Sequence, residues 1–153
     1  MTIDDMIAQA YHGALERDFD RKVEIFISRA EARDCALLAG DQDPRTYDSA
    51  AAAAAGHPDL IICPTLLTST AGKLAAEAIC KIIGLKALSV QAFEPSLLYF
   101  ERVYAESTLT FSLHFQDCYI GPGGSSGFFI VSSTVGANDV DAVAEVCAIL
   151  KTP

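Results

Sequence analysis

Between residues 65 and 83 apolar side chains recur at Leu67, Ala71, Leu74, Ala75, Ala78, Ile79, Ile82 and Ile83. That spacing predicts one long helix with an apolar stripe wide enough to pack deeply against a sheet. Pro64 suits the first helical turn, where a missing N–H is harmless, and Gly84 supplies the stop. Everything after Gly84 reads as strand, in segments 87–93, 97–103, 108–115, 127–135 and 142–150. The glycine-rich stretches at 121–127 and 136–139 read as hairpin turns. A long helix followed by a twisted antiparallel sheet is an α+β layout in which the sheet can wrap around the helix.

Upstream, Ile3, Met6, Ile7, Ala10 and Tyr11 have helical spacing over 3–15, and residues 23–27 are β-rich. Ser28 with Glu31 is a capping-box pair that opens a helix over 29–39, and Gly40 ends it. A loop follows, then a short helix of six alanines from Ser49, capped by Asp48-Ser49 and closed by Gly56. Leu60-Ile61-Ile62-Cys63 returns the chain to the core. No internal repeat or low-complexity linker interrupts this order, so residues 1–153 read as a single domain.

The net charge of −9 argues against nucleic acid or an anionic membrane as partner. A polyanionic ligand would need a local basic patch, for which Lys73, Lys81, Lys86 and Arg102 are available. The five cysteines, Cys35, Cys63, Cys80, Cys118 and Cys147, lie in apolar surroundings without paired spacing, which suggests buried thiols in a reducing compartment. With three separated histidines and no Cys-x-x-Cys, no metal site is indicated. The first ten residues are acidic and unlike a secretion signal, and no apolar run reaches membrane-spanning length. The expectation is a cytoplasmic protein.

The loop after the second helix carries the chemistry: Gly40-Asp41-Gln42-Asp43-Pro44-Arg45-Thr46-Tyr47-Asp48. It resembles the Gly-Asp-x-Asn-Pro-x-His-x-Asp signature of the MaoC-like (R)-specific enoyl-CoA hydratases and 3-hydroxyacyl dehydratases. Asp41 stands at the catalytic aspartate, Asp43 at the asparagine, and Thr46 at the histidine. Ala54, Gly56, Asp59-Leu60-Ile61 and Pro64-Thr65 continue the likeness into the long helix. The resemblance covers the chain from about residue 13, its specific part lies within 38–70, and it implies the hot-dog fold. It further implies an enoyl or 3-hydroxyacyl thioester of coenzyme A or acyl carrier protein as substrate, and no cofactor. It also implies a homodimer, or a heterodimer with a second hot-dog chain.

Hydrating an enoyl thioester needs a group to activate water, an acid for the α-carbon, and donors for the enolate-like oxygen. In the family the loop aspartate and histidine share one water, and backbone N–H groups at the start of the hot-dog helix polarise the thioester. Those donors would here be Thr65 or Leu66, since Pro64 has none. Asp43, Tyr47 and Cys63 complete the expected binding set. Thr46 cannot serve as a base near neutral pH, and losing a general acid–base group lowers rates by on the order of 10²–10⁴. His57, the nearest histidine, sits in a Gly-His-Pro sequence that reads as an exposed turn. The resemblance therefore implies a subunit that binds acyl thioesters and needs a partner that keeps the histidine.

Two other readings stay open. A hot-dog thioesterase would use a helix carboxylate, for which Glu77 is the candidate, although a solvated face is its plainer role. A binding or structural protein would leave the loop as a helix stop and turn. His12 and His114 read as surface and strand residues, and Gly121-Pro122-Gly123-Gly124 lacks the following Lys-Ser/Thr of a phosphate loop.

Overall fold

The computed structural model describes residues 1–86, 88–93, 98–99, 102–121, 125–135 and 142–151. Helix α1 (Ile3–Asp18) opens the chain, followed by β1 (Arg21–Ile27), α2 (Arg29–Leu38), a 3-10 turn (Pro44–Thr46) and α3 (Ser49–Ala54). Helix α4 (Pro64–Ile83) comes next, then β2 (Ser89–Phe93), β3 (Leu98–Tyr99), β4 (Ser107–Ile120), β5 (Ser126–Val135) and β6 (Ala142–Lys151). The strands form one antiparallel sheet in the order β1-β4-β5-β6-β2, with β3 also paired to β6.

Helix α4 lies along the inner face of this sheet, and its apolar stripe divides between two core clusters. Leu67 and Ala71 pack with Ile27, Leu60, Ile62, Leu109 and Phe111. One turn further, Ala75, Ala78 and Ile79 pack with Leu15, Phe19, Leu113, Phe128 and Ile130. Strand parity explains the sheet side: Leu109, Phe111 and Leu113 on β4 point inward together, as do Phe128 and Ile130 on β5. Each fully buried Leu or Phe contributes about 1.5–3 kcal/mol. The small residues of α4 let the helix approach the sheet closely, so the hot-dog expectation is met.

Element types follow the sequence pattern closely, with three departures. Strand β4 continues five residues beyond the expected 115, to Ile120, across a register shift between Phe115 and Asp117. The expected strand over 97–103 is described only as Leu98–Tyr99, and the turn at 136–139 and residues 122–124 of the 121–127 turn lie outside the described residues. The third departure is in α1: its capping box forms between Thr2 and Asp5, yet Ile3 and Met6 of its apolar stripe face solvent. Tyr11, Leu15 and Phe19 dock the helix instead.

Candidate active site

Two glycine-closed helix ends shape the site. At the end of α2, Gly40 adopts φ +70°, the Gly40 N–H donates to Leu37 C=O (3.1 Å) and the Asp41 N–H to Ala36 C=O (2.9 Å). At the end of α3, Gly56 adopts φ +85°, the Gly56 N–H donates to Ala53 C=O (3.0 Å) and the His57 N–H to Ala52 C=O (3.0 Å). Both are Schellman caps, and each places a candidate residue immediately after its glycine.

Asp41 is half-buried, and its Oδ1 accepts the Asp43 N–H at 2.9 Å. Its Oδ2 has no partner among the described residues. Asp43 is occupied throughout. Its Oδ1 accepts the Arg45 backbone N–H (3.0 Å) and Nε–H (2.9 Å), and its Oδ2 accepts Nη2–H (2.7 Å). Hydrogen bonding to Arg45, aided by the charges of Arg45 and Arg102, holds the Asp43 carboxyl down at about 2 against the opposing effect of burial. A carboxylate so stabilised is a poor base, so of Asp41 and Asp43 it is Asp41 that keeps an oxygen for water.

Thr46 is buried, and its hydroxyl donates to the Asp43 carbonyl at 2.7 Å, beside its own N–H at 3.1 Å. The Thr46 side chain therefore closes the 3-10 turn. Tyr47 is half-buried and its carbonyl accepts Arg33 Nε–H at 3.3 Å. Asp48 caps α3 through its Oδ1, which accepts the N–H groups of Ala50 (2.9 Å) and Ala51 (3.4 Å).

The segment before α4 is tied to this loop at several points. The Ile61 N–H donates to Arg45 C=O at 3.0 Å, and the Cys63 thiol meets the Cys35 thiol of α2 at 3.8 Å. Arg29 holds Asp59 through Nε (3.1 Å) and Nη2 (2.7 Å), keeping the Asp59 carboxyl below its ordinary range. Ala105 N–H to Leu60 C=O (2.9 Å) and Ile62 N–H to Val103 C=O (2.9 Å) fasten the segment to the chain leading into β4. At the start of α4, the Leu66 N–H turns back to the Cys63 C=O at 3.1 Å. Of the two expected donors, Thr65 is the one whose N–H has no partner among the described residues, and it is exposed.

His57 departs from the exposed turn expected of it. It is half-buried, its ring lies 5.6 Å from that of Tyr104, Nδ1 is 3.0 Å from Tyr104 Oη, and Nε2 is 3.3 Å from Arg102 Nη1. A guanidinium only donates, so Nε2 accepts and Nδ1 carries the hydrogen toward Tyr104. Both ring nitrogens are engaged, which leaves none for a water at Asp41. Tyr104 lies 47 residues downstream of His57, and nothing in the sequence flags it; Arg102 was legible only as a basic residue.

The remaining candidates lie elsewhere. Glu77 is exposed on the face of α4 that also carries exposed Lys73 and Lys81, about 18 Å along the helix from Thr65. Lys86 is exposed just beyond the helix end. His12 packs against Phe115 and His114 meets Asp20 at 3.2 Å, both away from the loop. The cysteines are less scattered than their spacing suggests, since Cys35 and Cys63 touch; Cys63 is buried, while Cys35, Cys80 and Cys118 are half-buried. Among the described residues no three His, Cys, Asp or Glu side chains are grouped to hold a metal ion, and no helix is long and apolar enough to cross a membrane.

Comparison with known proteins agrees with this fold. The family model for the FAS1-like dehydratase domain region matches residues 16–146. No curated protein matches the chain in sequence. Among solved structures, a chain of the C-terminally truncated HadBC (3R-hydroxyacyl-ACP dehydratase) complex from Mycobacterium tuberculosis superposes with a TM-score of 0.69 at 14% identity, covering 87% of this chain and 96% of that one. The (R)-hydratase from A. caviae involved in PHA biosynthesis gives 0.67 at 17% identity, covering 89% and 96%. A chain of the ChsH1-ChsH2 complex from Mycobacterium tuberculosis gives 0.64 at 19% identity, covering 95% of each. At these identities the structures establish the hot-dog fold, and the family model establishes the kinship. The chain belongs to the FAS1-like dehydratase domain family.

Proposed function

We propose that this chain is an acyl-thioester-binding subunit of a hydratase or dehydratase, acting on enoyl- or 3-hydroxyacyl-CoA or the corresponding carrier-protein thioester. It works with a second hot-dog chain that supplies the missing histidine. The observation that carries this reading is at Thr46, the residue that the sequence resemblance aligns with the histidine: it is buried, and its hydroxyl is committed to the Asp43 carbonyl. Two further features support it: among the described residues Asp41 Oδ2 has no partner, and the Thr65 N–H at the positive end of α4 has none either, so it can donate to a thioester carbonyl. Asp43, Tyr47, Cys63 and Leu66 complete the proposed binding set. HadBC and ChsH1-ChsH2, whose folds this chain resembles, are complexes, which supports a partner of the same fold.

The test is hydration of crotonyl-CoA and a longer enoyl-CoA by the purified chain, followed by loss of enoyl absorbance. The expected result is negligible turnover alone, together with thermal stabilisation by the thioester; a ligand at 100 times its Kd contributes about 2.7 kcal/mol. Turnover appears when a histidine-bearing hot-dog partner is added. Ordinary enzymatic rates from the chain alone, abolished by Asp41→Asn, would overturn the need for a partner.

A further inference from the structure

The Cys35 and Cys63 thiols lie at 3.8 Å, within van der Waals contact, on two elements that frame the site. Cys35 belongs to α2, six residues before Asp41, and Cys63 is the N-cap residue of α4, immediately before Pro64. A disulfide joins its sulfurs at about 2.0 Å, so the pair needs to close by about 1.8 Å. The intervening chain contains the Asp41 loop, α3 and His57. We propose that Cys35 and Cys63 form a latch closed by hydroperoxide, a covalent modification that ties the loop half of the site to its helix half. This inference stands on the thiol geometry and does not depend on the reaction proposed above.

The chemistry balances in two steps. The Cys35 thiolate, the more accessible of the pair, attacks one oxygen of hydrogen peroxide; the O–O bond breaks, and water leaves after protonation, giving a sulfenic acid. Cys63 then attacks Cys35 Sγ, the S–O bond breaks, and the thiol proton departs with the hydroxyl as a second water. Two thiols lose two electrons, and the peroxide gains them.

The surroundings set the tempo. Burial, with Cys63 adding to it, pushes the Cys35 thiol up to about 11. Little thiolate is present at neutral pH, so closure is slow and quickens with alkalinity. A high-pKa thiol is also a poor leaving group, so a closed bond reopens slowly. The pair is a durable latch, unlike a rapid sensor.

The experiment treats the full chain with hydrogen peroxide at pH 7, 8 and 9, alkylates it, and digests it with trypsin without reduction. Cleavage after Arg33, Arg45 and Lys73 separates peptide 34–45, with Cys35, from peptide 46–73, with Cys63. Expected are a linked species two hydrogens lighter than the sum, formation roughly tenfold faster per pH unit, and release by dithiothreitol. The oxidised chain melts several degrees above the reduced one, because the unfolded chain is constrained. Cys35→Ser, at a half-buried position, abolishes both the link and the melting shift. Recovery of both peptides separately alkylated, oxidation of Cys35 to sulfinic acid with Cys63 still a thiol, or equal melting of the two forms would overturn the latch.

Discussion

Arg45 grips Asp43 two residues away through its backbone N–H, Nε and Nη2, so that one side chain neutralises the acid next to Asp41 in the loop. Asp43 has its carboxyl lowered to about 2 from an ordinary 3.8. The stabilisation is therefore present above about pH 3.8 and lost as pH falls through about 2. The pair is about one-third exposed, at 33% for Arg45 and 35% for Asp43, so screening holds the effect to about 1 kcal/mol. Asp43→Asn keeps the acceptor for the Arg45 N–H and should remove this acid-sensitive component, seen as a flatter urea midpoint between pH 4 and 2.

Thr46→Val deletes the hydroxyl and keeps the shape. The Asp43 carbonyl still accepts the Thr46 N–H, so no acceptor is orphaned and the loss should be about 0.5–1 kcal/mol. Chemical denaturation measures it. A loss above 3 kcal/mol would mean that the hydroxyl holds more of the loop than its single bond implies.

Gly40→Ala tests the turn before Asp41. A methyl group there meets nothing within 4 Å, so the penalty is conformational alone, about 1–2 kcal/mol for a residue held at φ +70°. Gly56→Ala should behave alike, since its φ is +85° and its surroundings are equally open. A neutral result at either position, read from the urea midpoint, would show that the loop relaxes to another turn.

Ser132 and Thr134 of β5 are fully buried, and neither hydroxyl has a hydrogen-bond partner among the described residues. Desolvating an unpaired hydroxyl costs about 1–3 kcal/mol, so Thr134→Val, which keeps the volume, should raise stability by about 1 kcal/mol. Ser132→Ala should gain less, because it also removes packing atoms. A lower melting temperature for Thr134→Val would reveal a buried water bonded to that hydroxyl.

The loop and the helices around it were legible because their determinants are local. Ser28, Gly40, Asp48, Gly56 and Gly84 each act within a few residues, and the structure uses every one as a cap or stop. The α4 stripe was legible because one helix meets one sheet. What needed the fold was contact over distance: His57 with Tyr104 and Arg102, Cys35 with Cys63, and Asp59 with Arg29. Glu106 is a further case, since its φ of +59° at the entry to β4 is set by its N–H reaching Ile27 C=O at 2.7 Å. The choice between Thr65 and Leu66 as donor likewise depended on how the first turn of α4 closed.

The paired Schellman caps carry a consequence for how such a site can change over time. Main-chain hydrogen bonds and a left-handed glycine set the path of the backbone through Asp41 and through His57, and neither side chain takes part in those bonds. Side chains on such turns are passengers: one can be exchanged while the chain keeps its course. Loss of chemistry and loss of architecture are thereby decoupled, and a subunit of this build can outlive its own catalysis for as long as something else still needs its shape.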